Sequence, residues 1–510
     1  MEEKALKTSV FVNETVFCDS AEIPIDVDFT LPDYCPDISK IFKCRAVPHI
    51  ASKGINGKEI TIEGSVCITL LYSDKDGMLS SYEYQYPFSK SLEMSEECST
   101  ASIRCKIRTE YINCRAVTSR KVDIHGAAGI SIKVFRRKCT DIISDFNDDN
   151  IELKRGIAPA TVPMGFAEKY LMIEEEIRTG QGQPPVKSIL RYDANSCVKE
   201  TKVIKDKAVV KGEITLNILY CAEGTAAPQC VKTTIPFSQI VEVSGITEEC
   251  LCDTKSEIAF IDLKPRMSVS GENKCFSLTA KLLLTCEAYC SNDVAVILDA
   301  FSRRYQSDIK KSKVCFDKIT YNISEIYHCK KNLELEEEVS SVVDLWCNVQ
   351  SYTAKFENSE MIICGTIVVG MIVCRNEGNA IYCEKSIDFE YKYPIKCEIG
   401  TPHTEPQIEV LSCGYTITSP NCIEVRIELG INAAVYEKSE IPLISEMSID
   451  NEHTIERKSK AALMVYYCSE GDRVWNIARN YNASVEEIMR MNSLEDDKLP
   501  DGKMILVPMI

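Results

Sequence analysis

The sequence has little that would suit a membrane-spanning or nucleic-acid-binding protein. Its longest apolar run, 361–373, is broken by Gly365 and Gly370, and it is shorter than the roughly 20 residues that a helix needs to cross a bilayer. Acidic residues outnumber basic ones by 76 to 59, a net charge of −17, whereas phosphate backbones and anionic lipids attract basic surfaces. The amino-terminal residues do not form a basic segment followed by an apolar one. We therefore expect a soluble intracellular protein with no membrane span and no nucleic-acid partner.

Cysteine is abundant, at 26 residues, but the spacings that mark zinc sites are missing. No Cys-x-x-Cys pair occurs, and Cys250 and Cys252 have no second pair at zinc-finger distance. Most cysteines lie in apolar, strand-like contexts, as Cys67, Cys364 and Cys374 do. A secreted disulfide scaffold would be short and would carry an export signal. We interpret the cysteines as buried, reduced thiols that pack as small apolar side chains; crosslinks between molecules of a durable assembly are the alternative.

Sequence signatures of catalysis are missing as well. There is no GxxxxGK[ST] phosphate loop, no HExxH metal-binding helix and no GxSxG nucleophile turn. The five histidines share no ligand-like spacing. His328 and Cys329 are adjacent in sequence, but neighbours on a strand point to opposite faces and make a poor nucleophile–base pair. We expect no enzyme activity, no catalytic residues, no metal site and no cofactor.

What the chain does contain is a threefold repeat of β-strand character. In the segment ITIEGSVCITLLY, apolar residues alternate with polar ones from Ile60 to Tyr72, which is typical of a half-buried strand. Similar segments surround Gly212 and Gly365, and these glycines follow Gly64 at intervals of 148 and 153 residues. The third segment is apolar on both faces, which predicts a sheet that is covered on both sides.

The repeats predict a mainly β protein with three tandem, sandwich-like units and a small α+β module at the carboxyl terminus. The predicted boundaries are 1–140, 161–301, 317–440 and 463–510. The segments between them lose the alternation and gain charged and turn-forming residues, so we interpret them as linkers; they are 141–160, 302–316 and 440–460. Asn-Gly at 56–57 and Asp-Gly at 76–77 predict hairpin turns.

The last fifty residues have the most specific local pattern, in the order β-α-α-β. Asp472 is predicted as the N-cap of a helix over 473–480, because its carboxylate can accept backbone N–H bonds. Ser484 and Glu487 form a capping box that opens a second short helix. A final strand ends at Pro508.

This pattern resembles a LysM module. The residues that carry the resemblance are Tyr466, Gly471, Asp472, Val474, Trp475, Ile477, Ala478, Tyr481, Ser484, Val485, Glu487, Ile488, Asn492, Leu499, Gly502, Ile505, Val507 and Pro508. LysM modules usually bind N-acetylglucosamine glycans in a groove between the first strand–helix loop and the second helix–strand loop. The resemblance places this partner- or glycan-binding groove at Gly471, Asp472 and Arg473 on one side and Asn492, Ser493 and Leu494 on the other. Trp475 is expected mainly to support the groove.

The front of the chain carries a second resemblance, to the opening of the SPOCS domains of clostridial spore-associated proteins. It rests on Leu31-Pro32-Asp33-Tyr34, Pro36-Asp37-Ile38 and Ile41. The second unit retains Pro184-Pro185-Val186, and the third unit keeps only the apolar spacing.

SPOCS units followed by a terminal LysM module resemble a family of clostridial spore morphogenetic proteins. In that family the protein lies in the mother-cell cytoplasm at the forespore surface and joins the spore coat. Its LysM region docks the basement-layer ATPase of the coat, stage IV sporulation protein A. The resemblance therefore implies a structural adaptor whose partners are that ATPase and other coat proteins. The alternative is a protein of the spore cortex or cell wall that binds peptidoglycan through its LysM module.

Overall fold

The protein is built largely of β-strands. The computed structural model describes residues 5–98, 101–180, 182–224, 228–267, 274–375, 380–396, 400–455 and 461–509. Within these ranges, the two α-helices lie near the carboxyl terminus. None of the described helices is long and apolar enough to cross a membrane. The predicted fold class, three β-rich units followed by a small α+β module, is confirmed.

The first unit is a sandwich of two three-stranded antiparallel sheets. Its strands are β1 (Ala5–Thr30), β2 (Lys40–Asn56), β3 (Glu59–Ser73), β4 (Leu79–Glu93), β5 (Ala101–Ala116) and β6 (Lys121–Phe146). One sheet has the order β1-β6-β5 and the other has the order β2-β3-β4. The hairpin turns predicted around β3 are confirmed, and Gly57 and Gly77 supply the positive φ angles of 63° and 78° that these turns need. Side chains such as Ile62, Leu70 and Ile130 form the core between the sheets.

The second and third units repeat this arrangement. The second unit contains β7 (Ile151–Arg178), β8 (Val186–Ile204), β9 (Lys207–Ala222), β10 (Gln229–Glu242), β11 (Leu251–Arg266) and β12 (Cys275–Ser302). The third contains β13 (Tyr305–Glu334), β14 (Ser341–Glu357), β15 (Glu360–Cys374), β16 (Ala380–Pro394), β17 (Thr401–Thr404), β18 (Gln407–Ser419) and β19 (Cys422–Thr454). Their sheet orders are β7-β12-β11 with β8-β9-β10, and β13-β19 with β14-β15-β16, where β17 and β18 both pair with β19. The third unit, which the sequence indicated only by its apolar spacing, is thus a structural repeat.

The alternation seen in the sequence decides which side chains enter the core. Ile60, Ile62 and Leu70 of β3 are fully buried inside the first sandwich. β15 is covered on both faces, as its sequence predicts, because Ile363 faces the core of the third sandwich while Ile372 packs against the other two units. Side chains that alternate along a strand can therefore serve two different interfaces.

The three units close into a ring around a small apolar centre. Leu71, Leu219 and Ile372 occupy equivalent positions of the repeat, and they pack together with Leu190 and Trp346. This cluster lies on the outer faces of the three central strands β3, β9 and β15, so each sandwich has one sheet covered by its neighbours. The repeat therefore produces an approximate threefold arrangement within one chain.

Polar contacts connect each unit to the next around the ring. Between the first and second units, the Ser81 hydroxyl donates to a backbone carbonyl of β8 at 2.7 Å. Between the second and third, Arg191 Nε donates to Asp344 Oδ2 at 3.0 Å. Between the third and first, Lys43 Nζ lies 2.5 Å from Glu384 Oε2. Because every pair of units is in contact, the units form a closed body.

Most described residues of the segments predicted to be linkers lie in strands, so that interpretation is wrong. β1 and β6 stay paired as far as Phe146, β7 and β12 pair from Ile151 to Ser302, and β13 and β19 pair as far as Thr454. Three two-stranded ribbons therefore extend beyond the sandwiches. The end of the third expected linker, 456–460, lies outside the described residues, and the unit boundaries stay a prediction.

The ribbons hold together because one face of each is apolar. Their shared core consists of Val10, Ile142, Ala158, Ala160, Val294, Val296, Phe316 and Leu443. The charged residues that suggested linkers lie on the outer faces, where Lys310 and Glu446 pair across strands at 2.7 Å. The sequence reading failed here because the small residues Ala158 and Ala160 mark the apolar face only weakly.

The carboxyl-terminal module has the predicted βααβ order. β20 (Leu463–Tyr467) pairs antiparallel with β21 (Met504–Pro508), and α1 (Val474–Tyr481) and α2 (Val485–Asn492) lie between them in the chain. The Ser484 half of the predicted capping box is present, since the Ser484 hydroxyl accepts the Glu487 N–H at 3.4 Å. The core of the module includes Val474, Ile477, Ala478, Ile488, Ile505 and Val507.

Candidate functional site

The loop between β20 and α1 holds three of the predicted site residues. Gly471 is exposed and has a φ of 87°, in the left-handed region that favours glycine. The Asp472 carboxylate accepts the Ser469 N–H at 2.8 Å and the Tyr466 hydroxyl at 3.1 Å. Burial and the neighbouring Asp472 carboxylate raise the pKa of Tyr466. Asp472 therefore closes its own loop against β20.

Asp472 is not the N-cap of α1, and that prediction is wrong. Arg473 occupies the cap position, and its side chain makes no capping bond. The acceptor is Asp497, from the loop before β21, whose carboxylate accepts the Trp475 N–H at 2.9 Å and whose backbone carbonyl accepts the Val474 N–H at 2.9 Å. A helix end can be satisfied by any nearby acceptor, and here a residue distant in sequence replaces the local one.

The loop after α2 holds the other three predicted residues. The Asn492 amide donates to the carbonyls of Ile488 at 2.8 Å and Leu506 at 2.7 Å, and it accepts the Leu506 N–H at 2.7 Å. Ser493 is exposed and ends the helix with a φ of 50°, while Leu494 packs against the module core. Asn492 thus ties α2 to the final strand instead of presenting its amide to a partner.

Hydrogen bonds hold the first loop beside the segment that precedes β21. The backbone carbonyl of Asp472 accepts the Leu499 N–H at 3.1 Å. Arg473 Nη1 lies 3.9 Å from Asp497 Oδ2, and the Arg473 side chain is 48% exposed. The predicted site residues that are exposed are Gly471, Arg473 and Ser493.

Trp475 packs outside its own module, against the end of β12. Only 5% of its surface is exposed. Its indole N–H donates to Asp299 Oδ2 at 3.0 Å, and its ring meets the Phe301 ring edge-on with centroids 5.2 Å apart. Arg479 Nη1 donates to the same oxygen at 2.7 Å. Sequence reasoning predicted a supporting role for Trp475 but missed these partners, because no local pattern couples residues 176 positions apart.

The Asp299 carboxylate stays ionised although it is buried. Burial by itself would raise the pKa of this carboxyl group. The bonds from Trp475 and Lys311 and the charge of Arg479 outweigh that effect, so the pKa of Asp299 lies below its ordinary value. Lys311 Nζ lies 3.2 Å from Asp299 Oδ1. This carboxylate therefore joins β12, β13 and α1.

The outer face of the two-stranded sheet of the module is apolar and exposed. Leu463, Val465, Tyr467 and Met504 are exposed to 41%, 48%, 70% and 56%. The other face of the sheet packs on the helices through Ile505 and Val507. Contiguous exposed apolar surface is typical of binding sites for proteins or other ligands. The signal in the sequence was a strand, 463–467, that is apolar on both faces.

A second candidate site is a cavity of about 920 Å³ that residues of all three units line. Its lining includes Arg104, Lys133, Ser256, Tyr289, Glu405 and Glu409. Arg104 donates to the Tyr289 hydroxyl at 3.1 Å, and Lys133 Nζ lies 2.9 Å from Glu405 Oε1. Burial raises the pKa of Glu409 to about 7. Both of these contacts join different units, so the cavity contributes to the contact between units.

The motif that suggested a SPOCS domain forms a loop held by one arginine. Arg120, from the turn between β5 and β6, donates to the carbonyls of Leu31 at 3.2 Å and Pro32 at 2.7 Å and to the Asp37 carboxylate at 2.8 Å. The bond from Arg120 lowers the pKa of Asp37. Tyr34, at the tip of this loop, is 83% exposed. The motif thus connects the two sheets of the first unit.

Two family models match the chain. Residues 37–117 and 185–265 match the model described as SipL, SPOCS domain, and residues 469–508 match the LysM domain. No curated protein and no solved structure was found to match. The SPOCS matches lie over β2–β5 and β8–β11, and the LysM match includes both candidate loops. SPOCS and LysM domains are non-catalytic families.

Proposed function

We propose that this chain is a spore-coat morphogenetic adaptor. Its two SPOCS domains and its C-terminal LysM domain make it similar to SipL and mark a sporulation-related protein. It links coat assembly to the forespore surface by docking the basement-layer ATPase, stage IV sporulation protein A, through its LysM module. The observation that carries this proposal is the combination of both domain types in one chain. Other coat proteins are its further partners in this proposal.

The surface chemistry of the module supports a protein partner. The exposed apolar residues Val465, Tyr467 and Met504 lie on one sheet face, and aromatic and methionine side chains are enriched where proteins bind one another. The exposed Arg473 adds a charge beside the loops. Charges at the rim of an interface steer association and select the partner.

The adaptor acts without catalysis in this proposal. The matched domains belong to non-catalytic families. In the described parts of the chain, no group of three or more histidine, cysteine, aspartate or glutamate side chains could hold a metal ion. We propose that the protein lies in the mother-cell cytoplasm at the forespore surface and later in the coat, as its resemblance to the clostridial spore family implies.

A binding comparison on the full chain tests the proposal. The chain is titrated with purified stage IV sporulation protein A, with chito-oligosaccharides and with peptidoglycan fragments. Arg473→Glu and Tyr467→Ser should each weaken ATPase binding by about tenfold, as expected for residues inside an interface. Lys207→Glu, an exposed charge reversal on the second unit, is the matched control and should leave binding unchanged. Absence of ATPase binding by the unaltered chain would refute the proposal.

The LysM match also favours a second candidate function, the binding of peptidoglycan or N-acetylglucosamine glycan in the spore cortex or cell wall. In that case the glycan occupies the loops at Gly471, Arg473 and Ser493. The same titration separates the two functions. Saturable binding of chito-oligosaccharides, weakened by Arg473→Glu, together with no ATPase binding, would replace the adaptor with the glycan-binding protein.

A further inference from the structure

The LysM module does not stand apart from the ring; it rests on the end of the second ribbon. Phe301 of β12 belongs to the same apolar cluster as Val474, Trp475 and Ile477 of the module. A single residue of the body therefore completes the core of the module. An apolar contact of this kind holds two units together, but it has no direction and does not by itself select one orientation.

Asp299 supplies the direction. It is 8% exposed, and its Oδ2 accepts both the Trp475 indole N–H at 3.0 Å and Arg479 Nη1 at 2.7 Å. The two donors lie four positions apart on α1, so they share one face of the helix. Lys311 from the neighbouring ribbon approaches the other oxygen at 3.2 Å. A buried carboxylate needs such partners, because an unpaired buried charge is costly.

A cation also lies near the indole ring. Lys154 Nζ lies 5.9 Å from the Trp475 ring centroid, a distance at which an ammonium is attracted to the face of an aromatic ring. The indole is thus contacted by Phe301 at its edge, by Asp299 at its N–H and by Lys154 at its ring. Each of these three contacts comes from the second unit.

We propose that Asp299 is the positioning residue of an intramolecular docking site for α1, and that this site holds the LysM module on the second ribbon. While the module is docked, the Trp475 face of α1 is closed to other partners, and the loops around Arg473 and the apolar sheet face stay open. A partner of the Trp475 face has to displace the ribbon first. The inference rests on these contacts and is independent of the proposed function.

Acrylamide quenching of tryptophan fluorescence in the full chain tests this docking. The protein has two tryptophans, so all measurements use a Trp346→Phe background in which Trp475 is the single emitter. The docked chain should show a Trp475 that is shielded from acrylamide.

Asp299→Asn removes the charge at almost constant size, and Arg479→Gln removes the same ion pair from the side of the module. Each variant should raise the undocked population by about tenfold, because bonds to a charged group are among the stronger hydrogen bonds. A higher quenching constant and a red-shifted emission follow.

Asp293→Asn is the matched control, because Asp293 lies on the same strand and is exposed. It should leave the quenching unchanged. The double variant Asp299→Asn/Arg479→Gln should add less than the sum of its parts, since both changes break one contact. Arg479 is 47% exposed, so its replacement leaves the fold intact even where Asp299→Asn does not. An Arg479→Gln chain with fully shielded Trp475, or an equal rise in Asp293→Asn, would overturn the proposal.

Discussion

Arg191 donates its Nε–H to Asp344 Oδ2 across 3.0 Å, and the pair joins the second unit of the ring to the third. Only 7% and 3% of the two side chains are exposed. The Arg191 guanidinium also stacks on the Trp346 ring, 4.2 Å from its centroid, and forms a second ion pair with Asp193. This buried pair therefore lies where two repeats meet, and its removal tests how much the contact between them stabilises the fold.

Asp344→Ala should destabilise the chain by about 3 kcal/mol, because it leaves the buried Arg191 with a single carboxylate partner. Urea unfolding, followed by circular dichroism, measures the change. Glu446→Ala is the control, since Glu446 and its partner Lys310 are 57% and 75% exposed and such pairs contribute less than about 1 kcal/mol. Equal effects of the two substitutions would show that the contact between the second and third units does not stabilise the fold.

Gly212→Ala should destabilise the second unit, and the equivalent changes at Gly64 and Gly365 should act in the same way. A Cβ atom at Gly212 would lie 2.3 Å from a backbone carbonyl oxygen of β8 and 2.4 Å from the Phe237 ring. Overpacking of this kind costs about 3 kcal/mol when the backbone cannot move away. Differential scanning calorimetry should show a lower melting temperature.

Gly414→Ala on β18 is the control for the glycine series. An added Cβ there meets nothing within 4 Å, and alanine reduces the freedom of the unfolded chain. Its melting temperature should stay the same or rise. If Gly212→Ala were equally harmless, the close approach of β8 and Phe237 would not explain why glycine recurs at these positions.

Glu409→Gln should stabilise the protein at about pH 8 and have little effect at about pH 5. Burial, together with the charge of Glu257, raises the native pKa of Glu409 to about 7, from an ordinary value of 4.5. Between these values the native state holds a proton that the unfolded state has released, so stability falls as the pH rises. The gain on substitution is about 3 kcal/mol above the native pKa, measured by urea unfolding at both pH values.

Glu405→Gln gives the opposite sign in the same cavity. Burial would raise the pKa of Glu405, but the larger opposite effect of Lys133 and Arg104 holds this pKa below its ordinary value. This carboxylate stabilises the fold when ionised, and its loss should destabilise the chain at about pH 8. A Glu409→Gln variant that loses stability there as well would contradict the account of the cavity.

Thiol labelling should distinguish three cysteines from the rest of the described ones. Cys18, Cys139 and Cys315 are exposed and should react quickly with Ellman's reagent at about pH 8. Burial raises the pKa of both Cys67 and Cys105 to about 12, so little thiolate forms there and the reaction should await unfolding. Peptide mass spectrometry identifies the labelled sites, with the urea-unfolded chain as the control. Fast labelling of Cys67 in the native chain would disprove its burial.

Local patterns in the sequence were enough to predict the strands, the repeat and the module. Alternation placed Ile60 and Leu70 in a core because side chains on a strand point to alternate faces. Ser484 caps α2 as predicted because the accepting Ser484 hydroxyl and the donating Glu487 N–H lie three residues apart in the sequence. Asp472 failed as a cap for the opposite reason, since Asp497, far along the chain, supplies the acceptor instead.

The sequence by itself determined which segments become strands or helices and that three similar units precede a LysM module, because those properties depend on neighbours a few residues apart. The tertiary structure alone decided that the units close into a ring, that the expected linkers pair as ribbons and that Trp475 rests on Asp299. These outcomes depend on contacts between side chains that are distant in sequence. Arg191 and Asp344 are 153 residues apart, and Asp299 and Trp475 are 176 residues apart. No periodicity connects such positions, and only the packed chain brings their charges and apolar faces within contact distance.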